Sequence, residues 1–89
     1  MSIEFIDFYA DWCGPCIVMK PVIEELEKDF AGKLQIRKVD VDKELSETTK
    51  FGVMSIPTYV LVKDGREVER FVGATSKESI KSKILTHLS

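Results

Sequence analysis

The sequence predicts one layered α/β domain with the element order β-α-β-α-β-β-α, built on a four-stranded mixed sheet with helices on both faces. Three observations carry that reading. Residues 3–10 form a short run that is apolar on both of its faces. Met19, Val22, Ile23, Leu26 and Phe30 then recur at helical spacing. Further on, Asp64-Gly65 separates two strand-like runs by the two-residue spacing of a tight hairpin.

In the first run Phe5, Asp7 and Tyr9 alternate against Ile6 and Phe8, the pattern of a strand covered on both sides and therefore central. The helix that follows sets Glu24, Glu25, Glu27 and Lys28 opposite its apolar stripe. Pro15 suits its first turn, where a missing N–H costs nothing, while Pro21 removes an interior donor and predicts a kink. Ala31-Gly32-Lys33 closes the helix, and residues 34–41 read as a second strand. A helix between two strands demands a parallel, right-handed crossover. Asp42 is expected to cap a short helix over residues 43–50, followed by Phe51 and a stop at Gly52. Residues 58–63 and 66–72 should pair antiparallel around Asp64-Gly65. Thr75-Ser76-Lys77-Glu78 matches a capping box, and Ile80, Ile84, Leu85 and Leu88 make an apolar stripe that packs a last helix on the sheet. Val18, Phe71 and that stripe are expected in the core, and His87 in solvent.

With 89 residues the chain has room for a single core, so one domain over residues 1–89 is expected. At 44% hydrophobic and 31% charged residues the composition is that of a packed domain rather than a disordered one. Fifteen acidic against thirteen basic residues give a net charge of −2, which excludes the electrostatic footprint of a nucleic-acid or anionic-membrane binder. Proteins or small molecules are the partners left. Residues 1–7 lack a basic segment and carry acids inside their apolar run, so they do not read as a signal peptide, and no apolar run is long enough for a membrane span. A reducing, cytoplasmic compartment is the expectation.

Both cysteines lie in Ala10-Asp11-Trp12-Cys13-Gly14-Pro15-Cys16. As a structural staple the pair is weak, since closing so short a ring contributes about 2 kcal/mol at best. As a zinc site it lacks ligands: four are needed, and the chain adds only the distant His87, so no metal is expected. Position favours redox chemistry. Cys13 falls where the first strand ends and the helix begins, so its sulfur can face unpaired N–H groups at the positive end of the helix dipole, which favours thiolate. Cys16, one turn further in, should be more buried and less reactive, defining an attacker and a resolver. Asp7, inside an apolar strand, should be buried with its pKa raised. Lys38 reads as a sheet-margin lysine with its stem packed and its ammonium in water.

Trp12-Cys13-Gly14-Pro15-Cys16 resembles the active-site signature of the thioredoxin family, and the agreement extends through Asp7, Pro21, Lys38, Ile56-Pro57-Thr58, Asp64-Gly65 and Gly73 across nearly the whole chain. The resemblance implies a thioredoxin fold and a protein disulfide reductase working through a Cys13–Cys16 dithiol and a mixed disulfide. It implies that Asp7 moves the proton of Cys16 with Lys38 as possible support, and that Pro57 is cis beside the cysteines. Trp12, Gly14, Pro15, Ile56, Pro57, Gly73 and Ala74 would form the docking surface. It further implies a monomer that binds no cofactor. A thioredoxin reductase would return it to the dithiol form with electrons from NADPH or ferredoxin, and disulfide-containing proteins would be its substrates. A glutathione-coupled, glutaredoxin-like enzyme and a non-catalytic binding module are the alternatives. The sequence departs from the family pattern in starting almost directly at the central strand, a minimal form without the usual preceding strand and helix. Tyr9 stands where tryptophan is frequent, and Ile17 where lysine is frequent, which makes the docking face less basic.

Overall fold

The elements follow the predicted order: β1 (Ile3–Tyr9), α1 (Gly14–Asp29), β2 (Gln35–Asp40), α2 (Leu45–Lys50), β3 (Thr58–Lys63), β4 (Arg66–Val72) and α3 (Lys77–Leu88). The structure, a computed structural model, describes residues 2–88.

In the sheet the strands lie in the order β2-β1-β3-β4, with β1 parallel to β2 and antiparallel to β3. β1 is therefore internal, and its alternation feeds two cores. Phe5 packs with Met19, Ile23 and Leu26 of α1 and with Ile80 and Ile84 of α3 on one face. Ile6 and Phe8 pack with Val39 and Val60 on the other face, closed over by Phe51, Val53 and Ile56 at and after the end of α2. Each fully buried side chain of this kind contributes about 1.5–3 kcal/mol. One row of the α1 face runs Lys38, Asp7, Tyr59, Phe71 across all four strands. The β3–β4 turn has Asp64 at φ 51° and Gly65 at φ 83°, the doubly left-handed geometry that a two-residue hairpin of this type requires.

The structure corrects several local expectations. α2 starts at Leu45 behind Glu44, without a side-chain cap, so Asp42 is not its cap. The start of α3 is capped by Ser76, whose Oγ accepts from the Ser79 N–H at 3.1 Å, one residue later than a box opening at Thr75. Val18 is exposed, because the buried stripe runs through Met19, Ile23 and Leu26 and its neighbour in sequence is turned about 100° away. Leu85 is exposed beside buried Ile84 for the same reason. His87 is half-buried and pairs with Glu69 at 3.1 Å rather than standing in solvent. Pro21 lies inside α1, where the sequence placed it, and the helix runs on to Asp29.

Candidate active site

β1 delivers the chain to the turn at Asp11-Trp12, and Cys13 takes extended backbone angles (φ −83°, ψ 110°) as the N-cap of α1. The Cys13 N–H donates to the Ala10 carbonyl at 3.2 Å, and the Cys13 carbonyl receives the Ile17 N–H at 3.1 Å. The side chain completes the cap: the Cys16 N–H donates to Cys13 Sγ at 3.2 Å. Pro15 occupies the first turn, where its missing N–H leaves nothing unpaired. Cys13 and Cys16 are joined in a disulfide with their Cα atoms 5.2 Å apart. The burial order is the reverse of the sequence expectation, Cys13 being 3% exposed and Cys16 half-buried. The two residues border different cavities, and that of Cys16 is not sealed.

The cavity on the Cys13 side, about 500 Å³, is lined by Trp12, Gly14, Pro15 and Ile56, together with Val41, Thr48, Val53, Met54 and Ser55. Trp12 is 71% exposed, yet its indole is held: Nε1–H donates to Asp42 Oδ2 at 2.8 Å. Asp42 is in turn placed by its own N–H, which donates to buried Asp40 Oδ1 at 2.9 Å. The Ile56–Pro57 bond is cis, as the resemblance implied. Pro57 is buried, and two hydrogen bonds clamp its segment. The Gly73 N–H donates to the Pro57 carbonyl at 2.8 Å and the Thr58 hydroxyl to the Ser55 carbonyl at 2.7 Å. Gly73 adopts φ 88°, left-handed backbone that suits glycine. Pro57, Gly73 and exposed Ala74 lie outside the cavity lining. Met54, 97% exposed on its rim, was missed by the sequence reading; its place two residues before Ile56 was the available signal.

The cavity on the Cys16 side, about 550 Å³, has a different chemistry. Its lining includes Asp7, Tyr9, Asp11, Cys16, Lys20 and Lys38. Asp7 is only 8% exposed, and burial pushes its carboxyl from 3.8 up to about 6, against the pull of the Lys38 charge and with a small push from Glu27. Asp7 and Lys38 are register partners across β1 and β2, and the Lys38 ammonium is shared with Glu27 at 3.3 Å. Tyr59 faces Asp7 from β3, and its phenol is pushed up by burial and by the Asp7 charge. Lys20 and Asp11, exposed residues of the lining, were not singled out from sequence. Among the described residues no three His, Cys, Asp or Glu side chains are grouped to hold a metal ion, and no helix is long and apolar enough to cross a membrane.

Comparison with known proteins agrees with this arrangement. The Thioredoxin family model matches residues 2–86. Thioredoxin from Staphylococcus saprophyticus is 48% identical over 87 residues, covering 98% of this chain and 84% of the relative. Thioredoxin from Staphylococcus aureus is 45% identical with the same coverage of each chain. Among solved structures, an asparagine-to-glutamine mutant of thioredoxin from Halobacterium salinarum NRC-1 superimposes with a TM-score of 0.90 at 36% identity, covering 99% of this chain and 76% of that one.

Proposed function

This chain belongs to the thioredoxin family, and from that premise we propose that in its thiol-disulfide oxidoreductase chemistry Cys13 is the nucleophile and Cys16 the resolving thiol. The observation that carries the assignment is the Cys16 N–H aimed at Cys13 Sγ at the N-terminus of α1. A donor and a helix dipole at that sulfur favour its thiolate, and thiolate is the attacking species. The apolar rim of exposed Trp12 and Met54 with half-buried Ile56 supports docking of an extended protein segment beside Cys13, with Gly14, Pro15, Pro57, Gly73 and Ala74 framing it.

In the reducing direction the Cys13 thiolate attacks a substrate disulfide, forming a mixed disulfide and expelling one substrate thiolate. The Cys16 thiol gives its proton to Asp7, and the new thiolate attacks Cys13 Sγ, which breaks the mixed disulfide, expels the second substrate sulfur as a thiolate and leaves Cys13 bonded to Cys16. A carboxyl with its pKa near 6 suits that transfer, being mostly ionised at neutral pH yet a better base than an ordinary aspartate. Lys38 supports the ionised form of Asp7 through its charge.

Members of the thioredoxin family work on disulfide-bearing proteins without a bound cofactor. For this chain the reading names thioredoxin reductase as the electron donor, supplied by NADPH or ferredoxin, and the cytoplasm as the compartment in which a dithiol reductant is maintained. The test is reduction of insulin disulfides by the pre-reduced chain: the native protein should turn over, and Cys13→Ser should not. A folded, fully reduced native protein that leaves insulin intact would overturn the reading.

A further inference from the structure

On the face of the sheet that carries α2, one row of residues crosses all four strands: Arg37 on β2, Ile6 on β1, Val60 on β3 and Arg70 on β4. Ile6 and Val60 are buried beneath the segment that follows α2, and an arginine stands at each edge. Each arginine reaches over to one end of α2. A guanidinium N–H of Arg37 donates to the Glu47 carboxylate in the first turn at 2.7 Å, and one of Arg70 donates to the Phe51 carbonyl at the C-cap at 2.6 Å. Both are anchored in turn, Arg37 by Glu4 at 3.3 Å and Arg70 by two bonds to Glu67 at 2.8 and 2.7 Å. A helix of six residues has little stability of its own, and here no residue of Leu45–Lys50 is buried and no side chain caps its start.

We propose that Arg37 and Arg70 are positioning residues for protein substrates: by holding the two ends of α2 on the sheet, they set the rim against which a protein disulfide docks beside Cys13. The α2 segment carries that rim. Thr48 of α2 lines the Cys13 cavity, the Val53 N–H donates to the Thr48 carbonyl at 3.1 Å, and Val53, Met54, Ser55 and Ile56 follow in the same lining. Removing either arginine leaves one end of α2 without its charged tie, and the seated rim becomes one of several arrangements. The concentration of protein substrate needed for half-saturation then rises by the factor by which the seated arrangement is depopulated. The fold as a whole survives, because the Phe51 ring stays against Phe8, with ring centroids 5.6 Å apart. Neither arginine lines the Cys13 cavity or the Cys16 cavity, so thiol chemistry with a disulfide too small to need the rim is untouched.

The inference rests on the reading that protein disulfides dock on the Cys13 rim. The test follows single-turnover oxidation of the pre-reduced chain by acid quench and thiol alkylation, over a range of insulin concentrations and, separately, with 2-hydroxyethyl disulfide. Arg70→Met should raise the half-saturating insulin concentration about fivefold and Arg37→Met about threefold, while the limiting rate and the rate with 2-hydroxyethyl disulfide stay within about twofold of native. Arg70→Lys keeps a charged donor for the Phe51 carbonyl and should recover most of the loss. An unaltered half-saturating concentration in either methionine variant, an equal loss with both disulfides, or Arg70→Lys as impaired as Arg70→Met overturns the inference. Where Arg70→Met fails to fold, Glu67→Gln loosens the anchor of Arg70 and leaves the guanidinium in place; a rise of about twofold supports the inference and no rise overturns it. Any of these failures leaves the parent reading standing as long as the native chain reduces insulin and Cys13→Ser does not; a native chain inactive on insulin is the separate failure of the reading itself.

Discussion

The two cavities flanking the disulfide border neighbouring residues of one motif, yet they are built from different parts of the fold. That of Cys13 is walled by turns and loop ends: Trp12 held by Asp42, and the Met54–Ile56 segment held by Thr58 and Gly73. That of Cys16 is walled by β1, β2 and the first turns of α1, with the acid buried in the central strand. Loops can present an exposed apolar rim to polypeptides of varied sequence, whereas a central strand can desolvate a carboxyl enough to raise its pKa. Docking and proton handling are thereby kept on opposite sides of a single bond.

The severest way to break the comparison is to remove the sulfur on the docking side. Cys13→Ser should lower insulin reduction by roughly a thousandfold or more, on the scale of nucleophile deletions, with the fold intact by circular dichroism. On the other side, Asp7→Asn should slow the resolving step by about tenfold to a hundredfold at neutral pH, read by single-turnover kinetics, and flatten the pH profile near 6. The same substitution has a stability signature of known sign. Folding raises the Asp7 pKa from 3.8 to about 6, so its contribution is fully present below the unfolded value and is lost as pH rises through 6. Denaturant unfolding should find Asp7→Asn gaining stability relative to the native chain between pH 4 and pH 8, by roughly 2 kcal/mol, because a buried charge no longer has to be held.

Smaller effects sharpen the contrast. Asp42→Ala releases the Trp12 indole without touching either sulfur, and the loss of one hydrogen bond to a charged group should raise KM for a protein disulfide about fivefold while leaving the Asp7 titration in place. Val18→Ser, on the exposed face of α1, should change neither KM nor the unfolding midpoint beyond about 0.5 kcal/mol. A larger effect would mean that the docking surface extends along α1.

Much of this was readable from the residues. The order of elements, the central place of β1, the hairpin at Asp64-Gly65 and the burial of Asp7 follow from periodicity and turn chemistry, which act over a few residues. The failures are at places where a distant partner decides. Asp42 has the right residue type and position for a helix cap, but its carboxylate is taken by an indole 30 residues away. His87 reads as solvated until Glu69 on β4 is placed beside α3. Val18 and Leu85 are apolar residues one step off a stripe, where composition says core and rotation says surface. The burial order of the two cysteines was not legible either, because it depends on which loop walls close over each. Met54, alone in sequence, becomes part of the rim only when its loop is folded against Trp12 and Cys13.

The central claim is that protein substrates meet Cys13 and that Cys16 acts from the other side. The most direct test incubates Cys16→Ser with a disulfide-containing protein and maps the covalent adduct. The account predicts a stable mixed disulfide on Cys13 in that variant and no comparable adduct on Cys16 in Cys13→Ser; accumulation on Cys16 with Cys13 left unreacted would contradict it.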